Sequence, residues 1–160
     1  MLHLLLFLNL ATAALSPPKR DLPVFRSSGS FTGGDTRNLN LERIELLKKG
    51  DTERIDLTFT AGSRKLPSPR IPPFQLRYDP QESENGRLLL LLQGISGRNV
   101  HRLALNSITT TSDLIKHVRI FPPLEDGDTV VELSLKRKVE FRPEQERKGS
   151  LRLALRAAPR

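Results

Sequence analysis

Cysteine and tryptophan are absent from the 160-residue chain, and tyrosine and methionine occur once each. Without thiols, a disulfide, a thiolate metal site and a cysteine nucleophile are all excluded. Cysteine usage therefore gives no information about compartment. Seven phenylalanines and the single tyrosine are the whole aromatic stock, so a core has to be built from Leu, Ile and Val. Acidic residues are also scarce relative to basic ones: 18 Asp and Glu stand against 26 Lys and Arg, a formal net charge of +8. Such a balance favours polyanions, whether nucleic acid, anionic lipid or acidic wall polymers, and indicates a partner's sign only. The length suits about one domain plus tails, large enough to bury a core without staples.

Leu2, Leu4, Leu5, Leu6, Phe7, Leu8 and Leu10 form a short apolar run, followed by Ala11, Thr12 and Ala13 in a small-x-small arrangement. This reads as a signal peptide over residues 1–13, cut after Ala13. The run falls short of the about 20 apolar residues that span a bilayer, so no integral membrane segment is expected in the mature chain. No Lys or Arg precedes the run, which leaves an ordinary hydrophobic N-terminal helix as the competing reading. Residues 14–39 are rich in Pro, Gly and Ser with little periodicity, as in a flexible linker or disordered arm.

From Leu41 onward, apolar and polar residues alternate in short blocks. Ile55, Leu57 and Phe59 alternate with Asp56, Thr58 and Thr60, and Val131, Leu133 and Leu135 with Glu132, Ser134 and Lys136. Successive side chains of a strand point to opposite faces, so each block offers one apolar and one polar face. Gly50 and Asp51 between two blocks signal a hairpin. Pro67, Pro69, Pro72 and Pro73 mark an extended connection or an edge. Five consecutive leucines, Leu88 to Leu92, predict a strand buried on both faces or lying near the centre. Val100, Leu103 and Leu105 form a weaker block, and Leu114 to His117 suits one helical turn capped by Ser112 or Asp113. Glu125, Asp126, Gly127 and Asp128 form a turn. Leu151, Leu153 and Leu155 close the set. The prediction is an all-β fold, a small antiparallel β-sandwich of about nine short strands over residues 40–156, with 157–160 as a tail.

Catalytic patterns are missing. His101 and His117 have no metal-type partner at a close spacing. There is no Gly-x-Ser-x-Gly elbow, no phosphate-cradling loop and no His-Glu-x-x-His. Glu125 and Asp126 are explained by their turn. The residues point to a binding module with no enzymatic activity, no cofactor and no metal. Basic clusters occur at Arg64, Lys65 and Arg70, at Lys136, Arg137 and Lys138, and at Arg98 and Arg102. Base stacking would call for aromatics among them; near Lys136 there is only Phe141, in inward phase. Nucleic acid is therefore not an expected partner.

Three blocks share one theme: Arg54-Ile55-Asp56-Leu57, Arg87-Leu88-Leu89-Leu90-Leu91-Leu92 and Asp128-Thr129-Val130-Val131-Glu132-Leu133. With Ile115-x-x-Val118-Arg119 ahead of the third, the series resembles the AMIN domain, a small β-sandwich found at the N-terminus of bacterial cell-wall amidases and type IV pilus secretins. In that family an Arg-apolar-apolar-apolar-Asp-Leu strand precedes a Val-x-x-Val-Arg strand and then an Arg-Val-Val-apolar-Asp-Leu strand. Here Leu91 takes the place of the first Asp, Asp128 and Thr129 stand where Arg-Val is found, and Glu132 supplies the second acid. The resemblance implies a periplasmic or secreted module that attaches to peptidoglycan or scaffolds a cell-envelope complex. Arg98, Arg102, Arg119, Lys136 and Arg137 are the candidate contacts, since guanidinium and ammonium groups bind carboxylates through charge-assisted hydrogen bonds. Two other readings are a docking module that recruits an envelope partner by β-strand addition and a cytosolic nucleic-acid-binding β-barrel, which requires the leader to be false.

Overall fold

A computed structural model describes residues 23–61, 71–81, 84–122, 127–146 and 149–159. The leader, residues 14–22 of the arm, Arg64, Lys65, Pro67, Pro69, Arg70, Glu125 and Asp126 lie outside them. The elements in chain order are β1 (Ser30–Gly33), β2 (Leu39–Lys49), β3 (Thr52–Ala61), β4 (Phe74–Asp79), β5 (Arg87–Leu92), β6 (Ile95–Arg98), α1 (Arg102–Thr111), β7 (Ile115–Ile120), β8 (Thr129–Leu135), β9 (Val139–Glu146) and β10 (Ser150–Ala157).

Alternation decides which side of each strand meets the core. In β3, Ile55, Leu57 and Phe59 are buried, whereas Arg54, Asp56 and Thr58 face outward. The same phase buries Val131, Leu133 and Leu135 in β8 and Leu151, Leu153 and Leu155 in β10. Gly50, at a positive φ of 62°, turns β2 into β3, a conformation that a residue with a Cβ adopts only at a cost. The strands assemble into two five-stranded sheets, in the orders β6-β2-β3-β10-β9 and β1-β4-β5-β8-β7. All described pairings are antiparallel except that of β2 with β6. The two inner faces share a single core, with Ile44, Ile55, Leu57, Leu153 and Phe141 from the first sheet and Leu76, Leu88, Leu90 and Leu133 from the second. Fully burying such a side chain is worth about 1.5–3 kcal/mol, so this shared interior dominates the energetics. The molecule is an all-β sandwich.

Ten strands occur among the described residues, in line with the expected number of about nine. Several details depart from expectation. β5 is the central strand of its sheet, yet only Leu88, Leu90 and Leu92 are fully buried; Leu89 and Leu91 lie half-buried on the outer face. The block at Val100, Leu103 and Leu105 is not a strand: Leu103 and Leu105 belong to helix α1, where Leu105 and Ile108 face inward and Leu103 is 79% exposed. Its run of β-branched residues is accommodated because Thr109 and Thr110 donate their hydroxyls to the carbonyls of Leu105 and Asn106, one turn back, each at 3.1 Å. Leu114 to His117 is not a helical turn: Leu114 precedes β7, and Ile115 to His117 form its first half. Ser112, expected to start that turn, ends α1 instead, its N–H bonding the Ile108 carbonyl at 2.9 Å.

The arm is also more structured than predicted. Arg26 exchanges two backbone hydrogen bonds with Phe141 of β9, at 3.0 and 2.8 Å, and β1 then pairs with β4 in the other sheet. Asp35 and Thr36 donate their amides to the Ile71 carbonyl. A single inward aromatic, Phe31, secures this polar stretch; its ring meets Phe141 edge-on at 5.8 Å. The strap from Phe25 to Gly33 thus closes one side of the sandwich. Helix α1, linking β6 of one sheet to β7 of the other, closes the opposite side.

Candidate functional site

Charge on the molecule is unevenly compensated. The outer face of the first sheet alternates sign across its strands: Arg152 lies 2.8 Å from Asp56, Arg142 2.7 Å from Glu144, Arg156 2.7 Å from Glu140 and Arg54 3.4 Å from Glu144. Arg152 with Asp56 and Arg156 with Glu140 sit directly opposite each other on adjacent strands and support the pairing, and the four contacts together offset much of the charge on that face.

On the outer face of the second sheet, Arg87 donates to Asp79 and, at 2.7 Å, to Glu132. Arg87 opens the second of the three related blocks and Glu132 is the acid of the third, so the motif residues meet across adjacent strands. The Asp79 carboxyl is held below the usual range, first by the Gln81 backbone amide and then by Arg87. Arg119 reaches the Glu132 carboxylate only at 3.9 Å, with its side chain 67% exposed. Glu132 is thus covered by Arg87 and grazed by Arg119.

The flank formed by β7 and α1 has a different balance. The helix runs antiparallel to the strand: Arg102 starts it near Ile120, and Ser112 ends it beside Ile115. At the first end, Arg98 donates Nη1 to the Phe121 carbonyl at 2.8 Å. There Arg98, Val100, Arg102, Leu105 and Ile120 line an open cavity of about 250 Å³. Phe121, 40% exposed, adjoins it. At the other end, Lys136 donates its ammonium to the Ser112 carbonyl and its amide to Leu114, with Arg137 exposed after it. Five residue steps at about 3.3 Å each separate Ile115 from Ile120, roughly 17 Å. All five predicted contacts therefore fall along one flank, Arg98 and Arg102 in the cavity, Arg119 on β7, and Lys136 with Arg137 at the far end. Exposed Lys116 and His117 lie between them. Among the described residues, Arg98, Arg102, Lys116 and Arg137 enter no ion pair.

Sequence reasoning overlooked the apolar floor of Val100, Leu105 and Ile120, because a helix rather than a strand presents it. It also overlooked Glu53. This inward-facing carboxylate is 4% exposed and accepts the Ser112 hydroxyl, the Asp113 amide at 2.6 Å and, more loosely, the Lys48 ammonium at 3.6 Å. The deviation of Glu53 from the apolar phase of β3 was the available signal.

The flank presents guanidinium and ammonium groups to solvent, the chemistry that suits anionic partners. His101 and His117 are exposed, and no group of three His, Cys, Asp or Glu able to hold a metal occurs among the described residues. Nor is any helix among them long and apolar enough to cross a membrane. No family model matches the chain, and neither a curated protein nor a solved structure matches it.

Proposed function

We propose that this chain is a non-catalytic, AMIN-like binding module of the cell envelope, periplasmic or secreted, that attaches to peptidoglycan or scaffolds an envelope complex through the β7 flank. The supporting observation is a run of cations along the flank: Arg98, Arg102, Lys116 and Arg137 enter no ion pair among the described residues, whereas Arg54, Arg142, Arg152 and Arg156 on the outer face of the first sheet each meet a carboxylate. An anionic polymer laid along roughly 17 Å of flank could meet several of them. The test is co-sedimentation with purified peptidoglycan sacculi. The protein should pellet at low salt and be released as ionic strength rises. Retention in the supernatant at low salt removes wall attachment and leaves the scaffold role. Recovery of a mature N-terminus at Ala14 in a periplasmic fraction supports the envelope assignment, whereas an intact leader in the cytosol overturns it.

A second reading rests on the position of β7 at the end of its sheet order. An edge strand can accept a partner's extended segment through main-chain hydrogen bonds. In that case reversing the charges of Lys136 and Arg137 leaves partner binding unchanged.

A further inference from the structure

The cavity between β6, α1 and β7 combines two features that the rest of the flank lacks in combination. Its floor is aliphatic, from Val100, Leu105 and Ile120, and two guanidinium groups, Arg98 and Arg102, stand on its lining, with no carboxylate among the described lining residues. Arg98 is held in place by its bond to the Phe121 carbonyl at 2.8 Å, which leaves its other N–H groups to donate elsewhere. Arg102 occupies the first position of α1, whose first turn holds no acidic residue. A cation there faces the positive end of the helix dipole, an unfavourable placement. Glu42, beside β6, stays ionised under its bonds from Asn99 and Thr60, but it is not among the described lining residues. On the lining itself, two guanidiniums and the start of α1 stand beside an apolar surface.

We propose that this cavity binds a peptide C-terminal carboxylate whose last side chain is small and apolar. The carboxylate would lie between the Arg98 and Arg102 guanidiniums, and the side chain would rest on Val100, Leu105 and Ile120. Guanidinium geometry matches a carboxylate with two parallel donors, and capture of a chain terminus is an established recognition mode. The size agrees: about 250 Å³ lies just below the range of about 300–1,000 Å³ that encloses drug-sized ligands. One terminal residue fits this space, and a long acyl chain would project into water. This inference rests on the flank being a binding surface, but it does not require the polymer to be peptidoglycan.

The test uses ¹⁵N-labelled full chain and three probes: N-acetyl-leucyl-alanine as the free acid, the same dipeptide as its C-terminal amide, and decanoate. The free acid is expected to shift the amides of Val100, Leu105 and Ile120 saturably. The amide form and decanoate should bind at least about tenfold more weakly. R102Q, at an exposed position, should weaken the free acid by about tenfold, whereas K49Q, at the exposed end of β2, should leave it unchanged. Equal shifts from acid and amide, or tighter binding of decanoate, would overturn the proposal. So would an R102Q protein that binds as the parent does. Failure to pellet with sacculi does not bear on these titrations, which contain no wall polymer, so the two readings fail separately.

Discussion

The hydroxyl of Ser112 donates to the carboxylate of Glu53, 59 positions earlier in the chain, and both side chains are buried. The same Ser112 oxygen accepts the amides of Leu114 at 3.1 Å and Ile115 at 2.7 Å. One carboxylate of the first sheet therefore holds the junction of α1 with β7 in the second. Replacing Glu53 with Ala leaves the Asp113 amide and the Ser112 hydroxyl without their acceptor, at about 1–3 kcal/mol for each unsatisfied buried group. We expect both E53A and S112A to lower the urea midpoint, the latter because it strands the Leu114 and Ile115 amides, and E53Q, which keeps one acceptor oxygen, to fall between E53A and the parent. An unchanged midpoint in E53A would show that the tie is dispensable.

Close by, Lys48 lies 2.7 Å from Asp113, and the pair gives stability a definite pH profile. The Lys48 hydrogen bond holds the Asp113 carboxyl below its ordinary 3.8. Its contribution is present above the unfolded value and is lost as pH falls through the folded one, below about 3.8. Asp113 in turn raises the Lys48 ammonium above its ordinary 10.5. That contribution is complete below 10.5 and is lost as pH rises beyond it. The pair should add a plateau from about pH 4 to pH 10 that D113N removes. Because both groups are open to solvent, the difference between parent and D113N should shrink in high salt. A difference that is independent of salt would contradict this account.

The strap offers a local readout. The Phe25 ring lies 4.4 Å from the guanidinium carbons of both Arg142 and Arg156, and Arg26 follows with its backbone bonds to Phe141. Two exposed cation–π contacts are worth about 1–2 kcal/mol together. In F25A the Phe141 amide, which bonds the Arg26 carbonyl, should exchange with solvent several-fold faster, while the amides of β3 keep their protection. Uniform acceleration throughout the sandwich would mean that the strap is part of the global unit instead.

Two glycines separate backbone conformation from contact. Gly34 and Gly50 both have positive φ, 75° and 62°. A Cβ on Gly50 would meet nothing, whereas one on Gly34 would come within 1.9 Å of the Pro72 carbonyl oxygen. G50A should lose about 1–2 kcal/mol, the left-handed penalty alone. G34A should lose clearly more, because the approach of β1 to the segment before β4 has to open. Equal losses would show that the chain relaxes around Gly34 without cost.

Where one face of a strand is dry and the other wet, the sequence could be read directly: Ile55, Leu57 and Phe59 or Leu151, Leu153 and Leu155 announce their own phase. Three things escaped because tertiary structure decides them. Helix α1 carries Val100, Leu103 and Leu105 just before and within it at strand-like spacing, and it is the packing of Leu105 and Ile108 on the core that selects a helix there. β1 buries a single large side chain, Phe31, too little to produce a pattern. The convergence of Arg98 with Arg102 depends on the bend from β6 into α1. Their charge was legible, but not the apolar floor beneath it.

The placement of β10 between β3 and β9 also bears on how the chain acquires its shape. The β2–β3 hairpin is local and can close within microseconds, but Asp56 meets Arg152 across 96 positions. Such distant pairings carry the full entropy of loop closure and slow folding. On a ribosome, β10 emerges after both of the strands it joins. Until Ser150–Ala157 has left the exit tunnel, β3 presents a bare edge and β9 lacks the strand that joins it to the sheet, so the nascent chain depends on β10 to hide the surfaces most prone to aggregation.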